Sequence, residues 1–133
     1  MALEASIFTK ARIANSEFGA TAYTPAETLV VKLFSDLVSL DGIGDEITTA
    51  GYIPLSIENN LTNFPTATSG VKENAVQFEM EPFEADSPEI VSIGIFDEDD
   101  NLLYRKSFAS SPITINATYF LTFAPSDIRL EIQ

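Results

Sequence analysis

A chain of 133 residues, 45% of them hydrophobic, has the size for one domain with a real core and is too short for two ordinary ones. Twenty acidic residues stand against seven basic ones, a net charge of −13, and histidine, cysteine and tryptophan are absent. This excludes histidine acid–base chemistry, thiol nucleophiles, disulfides and the usual zinc sites, and so acidic a surface repels nucleic-acid phosphate and anionic lipid headgroups. The composition describes an acidic domain that binds rather than catalyses, with neither nucleic acid nor membrane as its partner.

The first segment differs from the rest. Residues 1–26 hold Glu4 and Glu17 against Lys10 and Arg12, so they are neutral; residues 27–133 hold the remaining 18 acids and 5 bases. Glu4 comes early and Lys10 late, the reverse of a secretory signal, so synthesis in a cytoplasm is expected. Leu3, Ile7, Ala11 and Ala14 recur at helical spacing with Lys10 and Arg12 off the stripe, which predicts a short amphipathic helix. A helix this short needs something to pack on. Either its own domain covers the stripe, or residues 1–26 form an arm that docks on a neighbouring subunit. Residues 27–133 then form the single β domain.

Strand signals begin after Phe18-Gly19-Ala20. Thr28–Phe34 is β-rich and bounded by Pro25 and Ser35-Asp36; residues 38–50 read as a loop around Asp41-Gly42-Ile43-Gly44-Asp45. A second strand spans Gly51–Ile57, and Pro54, which cannot donate to a ladder, puts it at an edge or a bulge. Residues 59–70 are loop. Val76–Met80 alternates apolar and polar; Glu89–Phe96 and Leu102–Phe108 make a hairpin with the acidic tip Asp97-Glu98-Asp99-Asp100-Asn101. Short strands at Pro112–Ile115, Tyr119–Phe123 and Asp127–Ile132 close the chain. Seven to eight short strands between turn-rich loops predict an all-β fold, a compact antiparallel β-sandwich or barrel with a short N-terminal helix.

Few residues offer chemistry. The oxygens of Asp97, Asp99, Asp100 and Asn101 form a candidate cation site of the kind that suits calcium, with Asp41, Asp45 or Glu46 as ligands from another loop. The tip lacks the glycine and distal glutamate of a helix-loop-helix calcium site, and a solvated turn alone accounts for its polarity. Glu79, Glu81, Glu84, Asp86 and Glu89 crowd one region, but a glycosidase needs one carboxyl in an apolar pocket beside an ionised partner, and nothing beyond their number suggests it. Lys106 and Ser107 are adjacent on a strand and point to opposite faces. No cofactor and no catalytic residue is assigned.

Ten phenylalanines are a heavy load for this length. Phe34, Phe78, Phe96 and Phe120 lie on predicted strands and are expected in the core. Phe8, Phe18, Phe64 and Phe83 lie in segments read as extension or loop, and with Leu3 and Ile7 they are the expected interface residues.

The run Phe18-Gly19-Ala20-Thr21-Ala22-Tyr23-Thr24-Pro25, continuing through strand 28–34 to Ser35, resembles the opening of a family of small bacteriophage virion structural proteins labelled phage tail fibre protein. Gly94-Ile95-Phe96-Asp97 followed by Asn101-Leu102-Leu103-Tyr104 resembles that family's best-marked hairpin, and Phe123–Ile132 its closing strand. This chain departs from the pattern in its Asp-Glu-Asp-Asp tip, which in the family is short and contains glycine, and in a less apolar helical start. The resemblance implies a non-enzymatic virion protein whose partners are the major capsid protein or tail proteins.

A fibre reaches out by a repetitive shaft, and this chain has no repeat. A compact acidic domain with a neutral arm suits a capsid decoration, or cement, protein that clips onto the outer shell, expected as a homotrimer on threefold positions. The alternative is a tail-associated module, either an adaptor for a fibre or baseplate or a receptor-binding tip. A third reading, from another class, is a cation-dependent carbohydrate-binding module.

Overall fold

A computed structural model describes residues 3–131. Nine short strands and one helix follow in the order β1 (Glu4–Ala5), α1 (Ile7–Glu17), β2 (Thr28–Phe34), β3 (Leu55–Glu58), β4 (Val71–Glu73), β5 (Phe78–Glu79), β6 (Ser92–Phe96), β7 (Leu102–Ser107), β8 (Thr122–Phe123) and β9 (Arg129–Glu131). Five of them form an antiparallel sheet in the order β1-β7-β6-β2-β3, while β4 pairs with β9 and β5 with β8 as two-stranded ribbons. The class is all-β, as the strand signals imply, but the layer opposite the large sheet is two ribbons rather than a second sheet.

β2 is an inner strand of the sheet, hydrogen-bonded to β6 on one side and to β3 on the other. Val31 pairs with Ile95 on one side and with Leu55 on the other. Its period-two pattern sends Val31 and Leu33 into the main core, where they meet Ile93 and Ile95 of β6 and Phe64, Met80, Phe83, Phe123 and Ile128 from beneath the ribbons. The opposite face buries Phe34, Val38, Phe96 and Leu102 under the loop that follows β2. Every residue of β6 is buried because both of its faces are covered. Gly94 is required there: a Cβ would lie 2.6 Å from the Phe96 ring, which packs against Phe34 at 5.9 Å between centroids. β3 starts directly after Pro54 and is the outer strand, where a missing N–H costs nothing.

Asn74 ties the β4–β9 ribbon to the turn before β9. It is 1% exposed; its Nδ2 donates to the carbonyls of Val76 and Ala124 at 2.8 and 3.0 Å, and its Oδ1 accepts from the Ile128 N–H at 2.9 Å. A side-chain amide saturated in this way holds irregular backbone that has no ladder partner.

Three expectations are corrected. β1 lies where the helical stripe was expected to start, and β4 follows directly on a stretch read as loop; both owe their existence to distant partners, β7 and β9. The expected strand 112–115 reduces to one bridge, Ile90 with Ile113, beyond which the Ser87 hydroxyl rather than a ladder carbonyl takes the Ile115 N–H. The helix turns the other way from its apolar stripe. Ser6 caps it by accepting the Thr9 N–H at 3.0 Å, and the Leu103 carbonyl accepts from both the Ser6 N–H and the Thr9 hydroxyl, at 2.9 and 2.8 Å. These bonds set the rotation of α1, so Ser6 and Thr9 are buried, Arg12 and Ser16 half-buried, and Ile7, Ala11, Ala14 and Phe18 face solvent. Ile132, expected on the core face of the last strand, lies outside the described residues.

Candidate functional site

The acidic hairpin tip is the first sequence candidate, and the carboxylates of Asp97, Glu98 and Asp100 are engaged by the protein itself. Asp97 is 8% exposed and accepts from the N–H groups of Asp99 and Asn101 at 3.0 and 2.8 Å and from the Asn101 side-chain amide at 3.0 Å. This lets Asp100 take a φ of 66° and closes the five-residue turn. Glu98 reaches across to the start of β2, accepting from the Glu27 and Thr28 N–H groups at 3.3 and 3.4 Å. Those backbone donors, its own N–H first, hold the Glu98 carboxyl below the usual carboxylate range. Asp100 pairs with Lys32 at 2.5 Å, and the same ammonium lies 4.7 Å over the Phe96 ring. Among the described residues no group of three or more acidic side chains is arranged to hold a metal ion. Of the candidate ligands Asp97, Asp99, Asp100 and Asn101, Asp97 and Asn101 close the turn on each other and Asp100 pairs with Lys32.

The other carboxylates do not converge either. Glu79, Glu81, Glu84, Asp86 and Glu89 are all exposed, and Asp86 caps the Ala117 N–H at 2.8 Å. None occupies the apolar pocket that a general acid requires. A half-buried acid–phenol contact joins Tyr52 to Glu46 at 2.6 Å; burial, reinforced by this bond, pushes the Tyr52 phenol far above its ordinary range. Its hydroxyl also accepts from the Leu33 N–H, so Tyr52 works as a half-buried brace between Glu46 and β2.

The six expected interface residues divide. Phe64 and Phe83 are buried in this chain's own core at 7% and 2% exposure, which corrects the expectation that they face another chain. Loop position misled there: the ribbons are so short that loops supply much of the inner layer, and Phe83 packs edge-on against Tyr52 while Phe64 stacks on Phe78. Leu3 is half-buried against the core. Ile7, Phe8 and Phe18 are exposed by 59%, 38% and 89%. Phe120, expected in the core, is also at the surface.

Beside α1 the structure holds a cavity that no local motif announces. It measures about 210 Å³ and lies between the helix with the segment after it, the large sheet, and the β4–β9 ribbon. Leu29, Ile95, Leu103 and Ile128 line its apolar part; Arg12 and Lys72 line it as well, and no acidic residue does. Arg12 is held in place: its guanidinium donates to the Thr24 carbonyl at 2.9 Å and lies between the rings of Phe8 and Tyr23, at 5.0 and 4.1 Å. Tyr104, also in the wall, has its phenol pushed up by burial. Periodicity could not have shown this site, since its walls come from residues 3 to 130.

Among the described residues no helix is long and apolar enough to cross a membrane. No curated protein matches the chain. A family does: the description Podophage GP4 fiber I protein gp80 covers residues 4–131, which include α1, the hairpin with its acidic tip and all nine strands. The match runs from the first paired strand to the last, and the chain belongs to the Podophage GP4 fiber I protein gp80 family.

Proposed function

We propose that this chain is a non-enzymatic structural component of a phage tail, an adaptor of the fibre or baseplate, held in place through the outward face of α1. The observation that carries the reading is the set of exposed apolar side chains along α1, Ile7 and Phe8 in its first turn and Phe18 at its C-cap, in a chain of a family named for a fibre. An apolar stripe left in water marks a contact surface. The partner is another virion protein, since a surface of net charge −13 favours neither nucleic acid nor anionic lipid. Without a repeat the chain is an adaptor or a tip rather than a shaft.

The family supports this tail-associated role over capsid decoration, which rests on small size and on the contrast between a neutral first segment and an acidic body. Homotrimeric assembly, expected first for decoration, suits an adaptor as well. Quantitative mass spectrometry of purified particles tests the reading. A copy number far below that of the most abundant shell protein is expected. Near parity would restore decoration, and absence from particles would overturn both. Within the tail reading, Phe18→Asp combined with Ile7→Asp should leave the fold intact and reduce incorporation into particles.

A further inference from the structure

The loop after β2 holds one apolar side chain out of the molecule in a fixed position. Ile43 is 72% exposed, and among the described large hydrophobics only Phe18 is more so. The loop is not slack. The Ile43 N–H donates to the Ser39 hydroxyl at 3.1 Å, and its carbonyl accepts the Ser39 N–H at 2.8 Å. Gly42 approaches Leu102 and Phe96, and Gly44 lies so close to Phe34 and Val38 that a Cβ would meet them at 3.0 and 3.1 Å. Rigid loop bases that present a bare isoleucine have no use within the chain, and such preorganisation lowers the cost of binding. On either side of Ile43 stand Asp41, which accepts from the Ser39 hydroxyl, and Asp45, whose carboxylate has no hydrogen-bond or ion-pair partner among the described residues.

The cavity beside α1 has the complementary features. It is apolar in its depth and carries Arg12 and Lys72 without a single acidic residue, on a chain with almost three acids per base. Neither cation is in an ion pair among the described residues, whereas Lys32, Arg105 and Arg129 are. Its size of about 210 Å³ decides what enters. A cavity of about 150 Å³ takes a benzene ring, and drug-sized ligands need about 300 Å³ or more. One branched side chain with the backbone that carries it fits.

We propose that loop and cavity are the two halves of one contact between copies of this chain: Ile43 of one copy enters the cavity of the next, and its flanking Asp41 and Asp45 meet Arg12 and Lys72. The loop packs on the Phe34–Phe96 face of the large sheet, and the cavity opens on the other face, lined by Leu29 and Ile95. Loop and cavity are different patches of the chain, so the contact is heterologous, and repeated head-to-tail it closes into a ring or continues as a filament. The contact adjoins the outward face of α1, since Arg12 packs on Phe8, but it is made without Ile7 or Phe18.

The test uses the full chain, with sedimentation and light scattering across a concentration series. The unsubstituted protein should self-associate in a salt-sensitive way. Ile43→Glu and Lys72→Glu, each first shown to keep the original melting temperature, should each weaken association about tenfold or more, the scale of a central interface residue. Mixed together, they should form a one-to-one pair and stop, because one supplies an intact loop and the other an intact cavity. Asp45→Lys, at an exposed side chain that the fold does not use, should weaken association, and adding Lys72→Glu to it should restore it. A protein that stays monomeric, variants that associate like the original, or a mixture that does not pair would each overturn the proposal.

Discussion

Two acidic loops lie at the surface of the large sheet, and they use their charges in opposite ways. In the tip 97–101, Asp97, Glu98 and Asp100 turn inward to backbone N–H groups and to Lys32. In the loop 41–45, the Ser39 hydroxyl, the Asp36 carboxylate and close glycine contacts hold the shape, and the side chains of Asp45 and Ile43 are left at the solvent. The first loop spends the carboxylates of Asp97, Glu98 and Asp100 on its own fold; the second leaves that of Asp45 without a partner among the described residues. A run of acids in a sequence therefore does not by itself mark a ligand site or a solvated face, because the number of unsatisfied N–H groups nearby decides which it becomes.

The largest expected effect erases the contrast. Phe96 lies under both loops, touching Gly42 and packing on Phe34. Phe96→Ala should cost about 3–5 kcal/mol in urea unfolding, the range for a buried phenylalanine, and should loosen both loops together in hydrogen exchange. Asp97→Ala separates them. It strands the Asp99 and Asn101 N–H groups, so a loss of about 2 kcal/mol is expected, confined in exchange to the tip and the start of β2. Calcium should leave the melting temperature of the unsubstituted protein unchanged, because the Asp97 and Asp100 carboxylates already have partners; a rise with calcium would support the cation reading.

Acid should act on the tip through Glu98. Its folded pKa lies below the unfolded one, so its contribution is complete above the ordinary carboxylate pKa and is lost as pH falls through the lowered value. Amide exchange at Glu27 and Thr28 should quicken in that window, and Glu98→Gln should remove the pH dependence there. The smallest expected effect is in the other loop: Asp45→Ala should change stability by less than about 0.5 kcal/mol, as for surface positions free of structural partners. A larger loss would show that this loop, too, is held by its acid.

Much of the fold was legible locally. β2 is found at the expected residues 28–34, the hairpin turns where the acidic run stands, and Pro54 marks an outer strand. Each of these depends on period-two patterning, turn chemistry or a missing N–H, and all three act over a few residues. The short ribbons were less legible, since two-residue strands such as β5 and β8 exist only by pairing across more than forty residues of chain. The site was the least legible. Helical spacing located the apolar stripe of α1 but not the direction it faces, which two hydrogen bonds to the Leu103 carbonyl decide.

By itself, then, the sequence determined an acidic all-β domain with a short N-terminal helix and no histidine or thiol chemistry, because composition, alternation and turn residues act locally. Tertiary structure alone decided that Phe64 and Phe83 belong to the core, that the stripe with Ile7 and Phe18 faces water, and that Arg12 and Lys72 share one apolar cavity. Each of these depends on contacts between residues far apart in the chain, and local patterning carries no record of which distant partner a side chain will meet.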